Sequence, residues 1–549
     1  MDIEPRSIFA GRSPWRKRRR PIFVALGLLA ALAFNISIAV TLANDQPNDG
    51  KLYSQIAKNI LEQGVFSAEA EAPFTPTLIR LPGYPGFLAA VYYVAGVGND
   101  TAVREVQAVS YVLASVLAAM LAWNWCSGPR RRRRKAAYWT FFLAAFCPFT
   151  AIFSATILTE TLTIFFLAGL MLTATYAFKT KGRLASVLWW VVTGLAAGMA
   201  VLLRPDSGLF ALGIGLTIVV SGFIFRPAET GRVKQLLGAI WKGFVFSAVF
   251  IVVLVPWTIR NESVFGVFQP LAPAHAEMPG EFVPRGYLLW VRTWIDDSRY
   301  IGPMLWDLED KPIKIEQVPA YAFASDEEKT RVAALLDQYN HSDPDQAASD
   351  ETKDDDSSAA DYKSDSSDSA EDPQVDEPDQ VDADEELDLK ISPEVDAGFQ
   401  QIAEERIARE PWRFYVGLPA KRAVSMWFDT HSAYFPFGGE LFPVKDLDNE
   451  QYQNLWLPLF AALMWIYTLL AFIGAIFLCR GRGRLWLAMA ILVSLPRIVF
   501  FGTLENPEPR YLVELFLIAA VLGGIVLSRF KSRRRAGAAS VEFLYRNIG

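Results

Sequence analysis

Runs of about twenty apolar residues recur along most of this 549-residue chain. That is the length of helix needed to cross roughly 30 Å of hydrocarbon. The runs place spans at about 21–43, 104–125, 136–153, 156–178, 184–203, 207–225, 236–258, 456–478, 485–502 and 511–528. A soluble chain would have to bury all ten. The expected fold is an all-α polytopic membrane protein with about ten transmembrane helices and a large exterior loop region between helices 7 and 8.

Between these runs lie clusters of Lys and Arg: Arg16 to Arg20, Arg130 to Lys135, Lys179 to Arg183, Arg226 to Lys234, Arg480 to Arg484 and Arg529 to Arg535. Basic residues in short loops mark the cytoplasmic side. Each pair of consecutive clusters is separated by an even number of crossings, so both termini are expected inside, in a plasma membrane. The first apolar run is longer than the core of a cleaved leader, and Ala43-Asn44-Asp45 is a weak cleavage signal, so an uncleaved first helix is expected. The resulting layout is a basic N-terminus (1–20), an N-terminal membrane domain (21–260) with a first exterior loop (44–103), an exterior region (261–455), C-terminal helices (456–528) and a cytoplasmic tail (529–549).

Within the first exterior loop, Tyr53, Ile56, Ala57, Ile60 and Leu61 recur at helical spacing. Such a helix either lies on the membrane surface or packs on the protein. The run Gly86 to Val97 is too short to cross and is expected to lie at the interface or to re-enter. In the second exterior region, residues 341–388 change character completely. Twenty Asp and Glu face two Lys there, a local charge of −18 within a net −6, which leaves the rest of the chain at +12. The sequence pI of 5.5 therefore describes the insert and misdescribes the membrane body. With almost no large apolar residue the insert cannot offset its ordering entropy, and it is expected to be disordered. Asp354 to Asp356 and Asp382 to Glu386 offer oxygen ligands, but no EF-hand spacing accompanies them.

Three cysteines and three histidines give neither a disulfide framework nor a dedicated metal motif; a divalent cation, if used, would sit on Asp and Glu beside a phosphate. Nothing points to nucleic acid. The informative residues are charges that break the membrane rules. Arg204, Arg260, Arg497 and Arg510 fall at or near exterior ends of spans, and Arg80 and Arg285 in exterior loops. Charge near hydrocarbon is costly unless paired or used. The guanidinium fork matches phosphate oxygens, so a lipid phosphate would explain the group; nearby acids such as Asp206, Glu262, Glu505, Glu508 and Glu514 would explain single members. Glu160 stands near the exterior start of a span, where it holds one of these arginines, supports a base or forms a structural ion pair. Asp49 and Asp45 are candidate bases. A phosphate leaving group needs positive charge rather than a proton donor, so one carboxylate is enough for transfer of a sugar to an acceptor, whereas hydrolysis of a glycoside needs two.

Four stretches carry a family resemblance. They are Asp49-Gly50-Lys51-Leu52-Tyr53-Ser54-Gln55-Ile56-Ala57; Arg80-Leu81-Pro82-Gly83-Tyr84-Pro85; Leu203-Arg204-Pro205 together with Pro256-Trp257-Thr258-Ile259-Arg260-Asn261; and Glu508-Pro509-Arg510-Tyr511. In order and topology they resemble the integral-membrane, lipid-phosphate-sugar-dependent glycosyltransferases of the GT-C superfamily, such as the protein O-mannosyltransferases and the lipid A aminoarabinose transferase. The resemblance implies Asp49 as general base, Arg80, Arg204, Arg260 and Arg510 as ligands of the donor phosphate, and an inverting displacement on the exterior face. Asp45, Tyr53, Tyr84, Glu160, Glu508 and Tyr511 would support them. The implied donor is a polyprenyl-phosphate sugar and the acceptor a glycan, lipid or protein. Gly50 stands where several relatives carry a second acid. A polytopic transporter or flippase of lipid-linked glycans is the competing reading; it would call for broken helices, midplane charges and an internal repeat.

Overall fold

The computed structural model describes residues 14–43, 48–223, 232–308, 310–342, 390–436, 453–481 and 483–530. Nearly all of the acidic insert, and Asp45, lie outside these residues. The described residues contain helices and no strand. They fall into two compact units. One takes residues up to Glu281, Trp427–Ile498 and those from Pro509 onward; the other takes Phe282–Met426 and Val499–Glu508.

The first unit is the membrane bundle. Its helices are α1 (Pro14–Thr41), α2 (Asn48–Glu62), α3 (Gly83–Ala95), α4 (Asp100–Trp125), α5 (Arg130–Ala145), α6 (Pro148–Ala151), α7 (Glu160–Lys179), α8 (Arg183–Leu203), α9 (Gly208–Phe223) and α10 (Arg232–Phe265). Eight helices of the described chain are long and apolar enough to cross a membrane, or nine if α5 and α6 with the turn after it form one bent span. The expected span 136–153 is that bent pair, with arms 55° apart. Pro148 causes the break. It cannot donate a backbone hydrogen bond and forces Cys147 into extended geometry, with ψ at 112°. Exposed apolar side chains such as Phe23, Leu237, Ile251 and Phe472 are the surface such a bundle turns to lipid.

The second unit begins with α11 (Arg285–Arg292), α12 (Asp326–Asn340), α13 (Pro393–Arg409) and α14 (Leu418–Phe428). Its core gathers Tyr287, Trp290, Trp294, Leu336, Tyr339 and Phe399. The Asp396 carboxylate accepts the Tyr287 backbone N–H at 2.8 Å and ties α13 to α11.

The chain returns to the bundle in α15 (Gln453–Cys479), α16 (Arg484–Gly502) and α17 (Leu515–Leu527). The last is only 13 residues, about 20 Å at 1.5 Å per residue, shorter than the span expected at 511–528. Every residue from Leu515 to Val526 is buried, so α17 is apolar on all sides because protein surrounds it, not lipid. It packs against α5, α15 and α4.

α2 and α3 pack on one another, and their shared core contains Ala57, Tyr84, Leu88 and Tyr92. The amphipathic stretch of the first loop is thus seated on protein. At the start of α3, Gly83 lies against the end of α8: a Cβ there would stand 2.5 Å from the Leu202 carbonyl carbon and oxygen. Backbone cannot yield as a side chain can, so Gly83→Ala is expected to destabilise the protein by about 1–3 kcal/mol. A thermal unfolding scan of the detergent-purified protein checks this; an unchanged midpoint would mean that the turn relaxes freely.

Candidate active site

Asp49 lies in the first turn of α2, where a negative side chain suits the helix N-terminus. The residues α2 buries include Gly50, Ser54, Ile56 and Ala57, which leaves Asp49 half-buried. After the helix, Asn59 donates to the Ser67 and Glu69 carbonyls at 2.9 and 2.8 Å and so pins the connection that leads to Arg80. Leu78 and Leu81 bury against Trp257 of α10 and hold Arg80 between them.

Asp49 and Arg80, 31 residues apart, meet at 2.8 Å between Oδ1 and Nη2. Arg510, 461 residues further along, reaches the other oxygen, Oδ2, with both terminal nitrogens at 3.4 Å. The side chains of Asp49, Arg80 and Arg510 remain 32%, 22% and 16% exposed, so the trio is open to a ligand. Burial by itself pushes the Asp49 carboxyl up. Arg510 and Arg80, with Arg204 behind them, outweigh burial and hold it below the usual carboxylate range. Arg80 keeps its Nε, a buried donor with no acceptor. The Tyr53 ring packs edge-on to Tyr84, with centroids 5.0 Å apart, and the Arg80 guanidinium lies 5.9 Å from the Tyr53 ring centroid. Burial pushes the Tyr53 hydroxyl up to about 12, so it stays protonated. Tyr84 donates to Gln107 at 3.0 Å, and Gln107 in turn donates to the Thr156 carbonyl at 2.8 Å.

Behind the trio is a second, deeper group. Arg204 meets Glu160 at 2.6 Å, Asp206 at 3.0 Å and Glu514 at 3.6 Å. Arg497 meets Asp206 at 2.7 Å and Glu514 at 2.9 Å and donates to the Tyr511 carbonyl at 2.7 Å. These five side chains are almost fully buried, at 0% exposure for Arg497 and Glu514. Isolated charges at such depth would be prohibitive, so they persist by pairing, with two guanidiniums shared among three carboxyl groups. The Tyr511 ring joins the two groups, since the guanidinium carbons of Arg204 and Arg510 both lie 5.4 Å from its centroid.

The structure therefore brings together Asp49, Arg80, Arg204, Arg510, Tyr53, Tyr84, Glu160 and Tyr511 of the residues named from sequence. Arg260 is held differently. It donates to the Thr77 carbonyl at 2.8 Å and to Asn261 at 2.9 Å, and the Trp257, Phe265 and Phe66 ring centroids lie 4.9 to 5.5 Å from its guanidinium carbon. It fastens the strip that presents Arg80. Glu508 is buried and belongs to the second unit. Asp45 is outside the described residues. Arg497, named from sequence among the exterior-end arginines, joins the inner group with Asp206 and Glu514, which were named as acids that could pair with them; Gln107 joins the site without having been singled out. No group of three or more His, Cys, Asp or Glu suited to a metal occurs among the described residues.

Residues 22–268 match the family model for dolichyl-phosphate-mannose-protein mannosyltransferase. No curated protein matches the chain. Among solved structures, the chain is similar to ArnT from Cupriavidus metallidurans bound to undecaprenyl phosphate, with 13% identity over 92% of this chain and 78% of that one and a TM-score of 0.38. It is also similar to the oligosaccharyltransferase AglB from Archaeoglobus fulgidus in complex with an inhibitory peptide and a dolichol-phosphate, with 14% identity, a TM-score of 0.45 and coverage of 96% of this chain and 52% of that one. The match over residues 22–268, which contain Asp49, Arg80, Glu160, Arg204 and Arg260, bears out the resemblance to membrane glycosyltransferases of the protein O-mannosyltransferase kind over somewhat less than half of the chain.

Proposed function

We propose that the protein transfers a sugar from a polyprenyl-phosphate carrier to an acceptor at the exterior face of a plasma membrane, by a single inverting displacement. The observation that carries this reading is the meeting of one half-buried carboxylate, Asp49, with two partly exposed arginines, Arg80 and Arg510. The family matched over residues 22–268 supports a lipid-linked donor.

In this reading the donor phosphodiester binds to Arg80 and Arg510, whose trio with Asp49 carries one net positive charge. Asp49 takes the proton of the acceptor hydroxyl or amide, and the freed electron pair attacks the anomeric carbon on the face opposite the phosphate. The bond from that carbon to the phosphate oxygen breaks, its electron pair stays on the phosphate, and the arginines stabilise the charge that develops there. No acid is required, because a phosphate leaves as a weak base. Arg204 and Arg497, paired with Glu160, Asp206 and Glu514, brace Tyr511 and through it Arg510. Tyr53 and Tyr84 back Arg80. A divalent cation, if used, would be held by the donor phosphate and Asp49.

The test is a transfer assay on purified protein with native lipid extract, following loss of sugar from radiolabelled polyprenyl-phosphate sugars. Arg80→Gln and Arg510→Gln are each expected to lower kcat/KM for the donor by about 10- to 100-fold, the worth of one hydrogen bond to a charged group. Wild-type protein that consumes no donor when offered lipid, glycan and peptide acceptors would overturn the reading in favour of transport; unimpaired Arg510→Gln would place the phosphate elsewhere.

A further inference from the structure

Glycines let α8 and α10 pack together. A Cβ at Gly194 would stand 2.8 Å from the Phe246 carbonyl oxygen, and one at Gly198 would stand 2.6 Å from Val253 Cβ. Toward the start of both helices the packing opens, and a cavity of about 440 Å³ lies between Trp190 and Trp241. Its lining is unusual for a helix pair in a membrane. Lys181, Arg183, Lys234 and Lys242 all border it, and none of them pairs with a carboxylate among the described residues. Lys242 rests only over the Phe178 ring, at 5.9 Å.

Two further features ask for an anion. Arg183 opens α8, a helix of 21 residues whose N-cap, Gly182, supplies no side-chain acceptor, so the positive end of the helix faces this cavity uncapped. Trp190 is 1% exposed, lines the cavity, and its Nε1 hydrogen has no acceptor. A buried N–H left unpaired costs on the order of 1–3 kcal/mol, which a ligand oxygen would recover. The remaining wall is apolar, with Val187, Leu237 and Val245 continuing into helix faces that expose Leu188 and Leu236.

We infer that this cavity binds a phosphate-bearing anion, with four cations and an indole N–H for the phosphate and an apolar groove for attached chains. An anionic phospholipid headgroup and a free phosphate share that chemistry, and basic pockets between membrane helices suit the former. The site lies at the basic ends of α8 and α10 and uses none of the residues of the Asp49 group.

Native mass spectrometry of the delipidated full-length protein, titrated with phosphatidylglycerol, phosphatidylcholine or inorganic phosphate, tests it. Wild type is expected to retain phosphatidylglycerol in preference to phosphatidylcholine at one tight site. Arg183→Gln with Lys234→Gln should weaken that site about 30-fold, at about fivefold per basic residue. Trp190→Phe, which keeps every charge and an aromatic ring but removes the indole N–H, should weaken it about 5-fold. Inorganic phosphate binding that these variants lose equally would support the same site with a soluble source. Phosphatidylglycerol held equally by wild type and both variants, or no preference for it together with no phosphate binding, would overturn the inference.

Discussion

Asp49→Asn is expected to lower kcat for sugar transfer by about a thousandfold, within the range that a positioned general base supplies, while donor binding is retained. Asparagine keeps the shape of the side chain and an oxygen for Arg80 but cannot take a proton. The pH profile adds a signature. Arg510 and Arg80 hold the Asp49 carboxyl low, and a base works when deprotonated, so a depressed value extends activity toward acid. kcat/KM, which reports the free enzyme, should stay level as pH falls through the ordinary carboxylate range and decline only below it. Single-turnover kinetics with labelled donor measure both quantities. Transfer by Asp49→Asn at the wild-type rate would move the base elsewhere, with Asp45 next in line.

Arg497→Met should have the largest effect on stability. Its guanidinium is fully buried between Asp206 and Glu514 and also holds the Tyr511 carbonyl. Removing it leaves two buried carboxylates short of a cation, and breaking such a pair costs about 3–5 kcal/mol. The expected result is a clearly lowered unfolding temperature in detergent. Arg497→Met combined with Glu514→Leu should lose less than the two single changes added together, because the second change removes a charge that the first has stranded. If Arg497→Met melts with wild type, the inner group is not structural in the sense argued here, and its arginines return to consideration as phosphate ligands.

How much of this was legible follows from the distance over which each signal acts. Apolar runs and basic clusters are local, so spans, loops and the amphipathic helix around Tyr53 could be read from the chain. Pro148 lay in plain view inside the expected span 136–153; the run's length hid a break that proline chemistry announces. The last span was drawn at 511–528, longer than α17, and hydropathy alone cannot tell lipid from protein as the neighbour of an apolar run. In the site, Arg204 with Asp206 is a contact between residues two apart, and that acid could be named in advance. The sharing of Asp206 and Glu514 between Arg204 and Arg497 could not, since three separate span ends must converge to create it. Arg260 had the right charge at the right end, yet periodicity says nothing about the aromatic rings that take up its guanidinium.

Arg80 and Arg510 do not wait empty for a donor: the Asp49 carboxylate is already their counter-ion. On the reading argued above, an arriving phosphodiester must compete with it, and each guanidinium it wins is withdrawn from the carboxylate. Donor binding and the rise in basicity of Asp49 then become one exchange of partners. A vacant site would hold its base quenched, poorly able to activate stray water, and departure of the spent lipid phosphate would restore that resting pairing without any larger rearrangement of the bundle.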